Sequence, residues 1–564
     1  MTAEPLALQL RAWSRLPRDL LLQRLLHRVK TPLYATGLYR ATLPTRGAGA
    51  IVTSPPDPWP GDALRGQAIV AGEFAFAGQV IHEPAPLWLP PGASERWLAG
   101  LHGFAWLRDL RAVGGDTARR TGRDLVARWI EDCERWHEIG WRPDILGRRL
   151  SNWISQHEFY GASGDAMFRS RLLVSAGRQA CHLARILPAG LTGDGLIAAV
   201  KGLVFAGLFL PKGEAWLLRG QQLLERALPE QVLADGGHAS RSPSTQLAVL
   251  RQLIDLRAAF AAAERAAPVG LQLAIDGMAG TLRMFQHGDG GLALFNDSNE
   301  EESWQIDMAL SRADGKTKAL TQAPQSGFQR LTAGRVVVLV DAGAPPPPGL
   351  DAQAHAGTLS FEMSLGRERL IVNCGAHPGD AGWRRAQRMT AAHSTLTLAD
   401  TNSSVVLPEG GMLRGPGIVT CRREDADGNV WLDLGHDGYV PAFGLVHRRR
   451  LFLAANGEEL RGEDRLTADG SVRPQDGTPF AVRFHLHPQV QATLAQNGMA
   501  ALLRLPSGNG WRLRSTDHPV TLEESVYLGR RGEIRKTQQV VIQAKAAGDE
   551  SIVKWAIGRE SKRR

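Results

Sequence analysis

Residues 194–210 read DGLIAAVKGLVFAGLFL, a run with charges only at Asp194 and Lys201. A helix that is apolar nearly all round has to lie between neighbours, so this one is expected inside a helical layer. Residues 117–140, TARRTGRDLVARWIEDCERWHEIG, keep a charged face instead. Buried helices alternating with half-buried ones suit two concentric layers, as in an α/α toroid, or a curved solenoid. Helical spacing extends over residues 101–312, with candidate helices at 101–113, 117–138, 144–160, 165–187, 194–210, 213–228, 242–266 and 271–285. Ser242 before Pro243 reads as an N-cap with proline at the first helical position, and Asp194 as a cap of its own run.

After residue 321 the period changes to two. Segments such as RVVVLVDAG (335–343), TLSFEMSL (358–365), ERLIVNCG (368–375), AVRFHLHP (481–488) and IVKWAIG (552–558) alternate and end on Gly, Asn, Asp or Pro. Ten or more such strands without intervening helices imply a large antiparallel β-sandwich. The expected fold is therefore α+β and multidomain: an N-terminal arm and a Pro/Gly/Trp-rich, β-like or irregular cap over 1–100, an α/α toroid over 101–318 and a sandwich over 319–564.

The chain has 564 residues, too many for one core, with 43% hydrophobic and 22% charged residues. Its formal charge of +9, with arginine far commoner than lysine, favours anionic partners. Nucleic acid is not expected, since no zinc finger or ribonucleoprotein-type aromatic motif accompanies the charge. Cys133, Cys181, Cys374 and Cys421 form no CxxC pair, so neither a disulfide framework nor a structural zinc site is expected. Arg11, Arg15, Arg18, Arg24 and Arg28 break any signal-peptide core or membrane span, and residues 1–30 read as an amphipathic helical arm. The strand VHRRRLFLA is read with its arginines outward. Whether the chain is a monomer or a homodimer is not legible.

Several segments resemble, in order, the heparinase II/III family of bacterial polysaccharide lyases: PWPGD (58–62), LHGFAWLRDLRA (101–112), ADGGHASRSPSTQL (234–247), AHAGTLSFEMSLGRERLIVNCG (354–375), AAHSTLTLADTNSS (391–404), HDGYVPAFGLVHRRRL (436–451) and FHLHPQV (484–490). The resemblance implies a toroid followed by a sandwich, cleavage of an acidic, uronate-containing polysaccharide by β-elimination, and work in the cell envelope or periplasm, with the cytoplasm as the alternative. Elimination needs a group that neutralises the uronate carboxylate, a base at C5 and an acid at the leaving oxygen.

Carried over residue by residue, the family's neutralising Asn falls at Asp194 and the His after it at Gly195. Its Asp-Gly-x-His stretch is kept as Asp235, Gly236, Gly237 and His238, but its catalytic tyrosine falls near Thr245. Of its His-x-His pair, the first position is Gln353 and the second His355. Its later metal ligands fall at Asn373 and His393. The catalytic set implied is therefore His238, Arg241, Tyr439, Asp194 and Gln353, with His102, Trp106, Asn152 and Arg388 as sugar contacts. A divalent ion, zinc or calcium, at His355, Asn373 and His393 is one reading, and a bracing histidine pair is the other. A catalytically degenerate glycan-binding protein on the lyase scaffold is the alternative to the lyase.

Overall fold

The computed structural model describes residues 11, 13–44, 50, 51, 53–313, 317–408, 410–470, 475–530 and 532–560. The chain divides into two compact units. One contains Leu16–Gln231 and Ala248–Ile275, and the other contains Val232–Leu247 and the chain from Asp276 onward. The expected boundary near 318 is thus not where the grouping changes, because 232–247 and 276–318 cluster with the sheets. The first ten residues of the arm lie outside the described residues.

The first unit is helical. Gly193–Phe209 is the buried helix its composition demands, with Ile197, Val200, Leu203 and Val204 fully enclosed. It lies backbone to backbone on Pro143–Ser155: a Cβ placed on Gly202 would stand 2.4 Å from the Cα of Gly147, so only glycine fits. Ala166–Ile186 starts where Asp165 accepts from the Phe168 N–H. Asp194 does not cap its helix; Thr192 holds that position and Asp194 is the second helical residue.

Two expected helices are each broken in two. Residues 101–113 divide into Glu95–His102 and Leu107–Val113 at Phe104, whose φ is +58°. Residues 144–160 divide at Gln156 into Pro143–Ser155 and His157–Tyr160. The cap holds the helix Ala63–Val70, started by Asp62, and the hairpin Glu73–Phe76 with Gln79–His82. The arm is helical over Arg18–Tyr34 and exposes Leu22, Val29 and Leu33. No described helix is long and apolar enough to cross a membrane.

The second unit carries two large antiparallel sheets and a two-stranded one, Val405–Val406 with Met412–Arg414. The eight-stranded one runs Val419–Ala426, Asn429–His436, Leu445–Leu453, Glu459–Ala468, Glu550–Arg559, Gly510–Ser515, Ala500–Arg504 and Gln491–Ala495. The nine-stranded one centres on Arg535–Lys545, Pro479–Leu486, Glu368–Val372, Phe361–Leu365 and Val336–Asp341. Phe361, Met363 and Phe484 from one sheet and Leu432, Leu451 and Trp555 from the other share one apolar core, which makes the pair a sandwich. The expectation of three outward arginines at 448–450 is corrected by strand alternation. Arg448 and Arg450 face solvent, whereas Arg449 points inward and forks onto Asp464 at 2.8 and 3.0 Å. Before the sheets, Ser303–Arg312 forms a helix that the apolar pattern did not single out.

Candidate functional site

In the sheet-bearing unit, the start of the Pro243–Ala262 helix, the loop 296–301, the segment 353–355 and the helix Ala381–Gln387 bring their polar groups together. Ser242 caps the helix as expected, accepting from the Thr245 N–H at 3.3 Å. Thr245 then points its hydroxyl at Gln353, donating to Oε1 at 3.3 Å. The two positions where the resemblance places a tyrosine and a histidine are therefore in contact.

Beside them sits the histidine pair. The Asp297 N–H donates to His355 Nε2 at 2.9 Å, and His393 Nδ1 donates to the Met389 carbonyl at 2.9 Å. Those two bonds fix both tautomers, so His355 Nδ1–H donates to His393 Nε2 at 3.1 Å. Burial holds His355 well below the ordinary histidine range, and burial lowers His393 to about 4, so both rings are neutral at pH 7. Asn373 Oδ1 accepts from the Ser394 N–H at 3.0 Å.

The acceptor lone pairs of both imidazoles are thus already bonded within the fold, and Asn373 adds only an uncharged amide, so these residues do not fit a zinc or calcium ion. Among the described residues no group of three or more His, Cys, Asp and Glu side chains is placed to hold one. The pair braces the loop instead, because the backbone of His355 also donates to Asn296 Oδ1 at 3.0 Å.

Arg241, expected to polarise a uronate, instead ties the fold together. It donates to the carbonyls of Ser326, Gly327, Gly343 and Ala344 and to Asp341 Oδ1 at 2.5 Å, with 6% of its side chain exposed. His238 is 1% exposed, and its Nδ1 meets the Ser240 hydroxyl at 2.7 Å and accepts from the Ser240 N–H at 3.1 Å. Tyr439, expected as an acid or base, is a core residue whose hydroxyl donates to the Leu396 carbonyl at 2.9 Å. Burial pushes that phenol up, away from any working range. Arg388 is likewise buried, donating to three carbonyls, those of Ala354, Leu407 and Gly411, and burial brings it down to about 10.

The remaining expected residues belong to the helical unit. Asp194 pairs with Arg148 and accepts from Gln252. His102 accepts at Nδ1 from Trp129 Nε1–H at 2.9 Å and donates at Nε2 to the Trp88 carbonyl at 3.0 Å; burial lowers it to about 3. Trp106 is 2% exposed and donates to the Leu101 carbonyl, so neither ring face is open to a sugar. Asn152 donates to the Gly103 carbonyl at 2.8 Å. His102, Trp106 and Asn152 hold the helix ends together rather than presenting themselves to a ligand.

The partly exposed groups beside Thr245 and Gln353 were missed. Ser244 donates to Glu301 at 2.6 Å, and Arg384 donates to Asp297 at 2.8 Å. Arg241, Asn296, Asp297 and Glu301 all have positive φ, a left-handed cluster of non-glycine residues of the kind concentrated at functional loops. The signal was present as NDSNE (296–300), since Asn and Asp tolerate that conformation best. The cluster offers hydroxyl, amide, carboxylate and guanidinium groups for hydrogen bonding.

A family model described as Heparinase II/III N-terminus matches residues 122–313, and one described as Heparinase II/III-like, C-terminal matches 315–556. FtsZ-localized protein C of Caulobacter vibrioides is 34% identical over 537 residues, 92% of this chain and 91% of that protein. A heparin-sulfate lyase of Bacteroides stercoris is 29% identical over 117 residues, 20% of this chain and 17% of that one. Among solved structures, a heparinase III has a TM-score of 0.70 at 15% identity, covering 95% of this chain and 89% of its own. A mutant of the heparan sulfate lyase HepC from Pedobacter heparinus has a TM-score of 0.63 at 18% identity, covering 97% and 88%.

Proposed function

Because the chain belongs to the heparinase II/III family, we propose that it uses the lyase scaffold to hold an acidic, uronate-containing polysaccharide without cutting it. The contact between Thr245 and Gln353 carries this reading. The resemblance places the acid–base pair at these positions, and the residues there supply a hydroxyl and an amide, neither of which takes up or releases a proton near neutral pH. The neutralising position fits the same account. Asp194, held by Arg148, presents acceptor oxygens to a uronate carboxylate where an Asn would present a donor.

The purified protein, mixed with heparin, alginate or hyaluronan oligosaccharides, is expected to bind at least one of them while the ultraviolet absorbance of an unsaturated uronate product stays flat. Growth of that absorbance above the protein-free control establishes instead the second reading, a working lyase. That reading draws support from the retained Asp235–His238 stretch and from the named activities of the heparin-sulfate lyase and heparinase III relatives.

The name of the Caulobacter relative supplies a proposal for location, since that protein covers nearly the whole chain. A fluorescent fusion of this protein is expected to concentrate where FtsZ does. An even distribution through the cell, or confinement to the periplasm, rules that out.

A further inference from the structure

The outward face of the eight-stranded sheet carries a second set of groups that the fold does not use. Thr420, Gly435, Arg448 and Arg465 stand opposite one another in register on four adjacent strands. The next row along the same face is Arg422, Asp433, Arg450 and Glu463. Arg448 stands directly opposite Arg465, but only Arg465 has carboxylates of its own to offset its charge. Arg450 is neutralised by Asp433 at 2.5 Å, and Arg465 by Glu463 and Glu550, each at 2.7 Å. Among the described residues, neither Arg422 nor Arg448 meets a carboxylate, and both are exposed.

Between Thr420 and Arg448 the row has no side chain. A Cβ on Gly435 would lie 3.1 Å from the Thr420 hydroxyl and 3.6 Å from Arg448 Cγ, so the glycine lets these two side chains close over the strand. A concavity lined by Thr420, Arg422, Asp433, Arg448, Arg450 and Arg465 holds about 410 Å³, within the range of pockets that take a small ligand. Four strands side by side span roughly 14 Å, longer than one oxyanion needs. Two residues along the strand from Asp433, on the same face, Trp431 is 40% exposed and packs against Phe452 at 4.2 Å between ring centroids. This indole stands one row from Arg422, at the end of the concavity away from Arg448, and an open indole near an unpaired guanidinium suits a sugar ring that carries acidic substituents.

We propose that this groove binds a segment of an acidic polysaccharide, with Arg422 and Arg448 taking its sulfate or carboxylate groups and Trp431 supporting a ring. The inference rests on the reading of the protein as a polysaccharide holder and adds a site remote in sequence from Thr245 and Gln353. It is tested by calorimetric titration of the full chain with a heparin oligosaccharide. The double variant Arg422→Ala/Arg448→Ala is expected to weaken binding about tenfold or more, with an unchanged melting temperature. Trp431→Ala, which removes the ring support and alters no charge, is expected to weaken it severalfold. Wild-type affinity in both variants overturns this inference alone, whereas a wild-type protein that binds no acidic oligosaccharide overturns the underlying reading as well. Tighter binding of a single-stranded DNA of equal charge, lost in the same variants, overturns the assignment to a sugar.

Discussion

Arg241→Met is expected to destabilise the sheet-bearing unit by roughly 3–5 kcal/mol, the cost of leaving a buried partner charge uncompensated. The partner is Asp341, 3% exposed, whose carboxyl burial already raises against the opposing pull of Arg241. With the guanidinium gone, four backbone carbonyls also lose a donor. Two further measurements separate this from a general packing loss. The double variant Arg241→Met/Asp341→Asn should be more stable than Arg241→Met alone, because it removes the stranded charge. The deficit of the single variant should also shrink as pH falls, because a protonated Asp341 no longer needs a cation. Denaturant unfolding of the three proteins at two pH values decides the matter. A solvent-facing arginine reserved for a uronate would change stability by no more than about 0.5 kcal/mol on substitution, and that result would sink the clamp assigned here.

Acid is expected to unfold the protein well before its carboxylates titrate. His102, His182 and His485 are lowered to about 3 and His393 to about 4, each chiefly because burial disfavours the charged ring. In the unfolded chain each returns to about 6.5. Between those limits the unfolded state binds more protons than the folded one, so stability rises with pH. It is complete above the unfolded value and drains away as pH drops toward the folded values. At pH 5 each histidine has forfeited about 2 kcal/mol, so each unit, with two of them, has lost about 4 kcal/mol, a large share of a typical domain's stability. His102 and His182 lie in the helical unit and His393 and His485 in the sheet-bearing one, so neither outlasts the other by exemption. Circular dichroism at successive pH values should show cooperative loss of structure near pH 5. Native ellipticity and an unaltered melting temperature at pH 4.5 would refute the prediction.

The architecture was written in the sequence as a change of period, because a helix and a strand bury their apolar residues at different spacings and the switch after residue 321 is abrupt. A helix start was legible at Ser242, where the capping group is adjacent in sequence, but Asp194, read the same way, lies inside its helix behind Thr192. Breaks at Phe104 and Gln156 were not legible, since nothing local marks a left-handed phenylalanine. The candidate site divides the same way. That Thr245 and Gln353 occupy related positions could be carried over from a resemblance, but whether Tyr439, Trp106 or Arg388 is open or enclosed depends on partners far away in the chain. Arginine itself is ambiguous. Arg241 and Arg388 look like ligands for an acidic sugar and prove to be ligands for the protein's own carbonyls.

The excursion of residues 232–247 out of the helical group and back has a consequence for how such a chain can be inherited. A gene cut at the seam between its two family regions, after residue 313, would deliver a sheet half lacking segments encoded upstream, Val232–Leu247 and Asp276–Arg312. Simple fusion at that seam would leave the sheet-bearing unit short of its own segments, whereas substitution in place leaves both units whole.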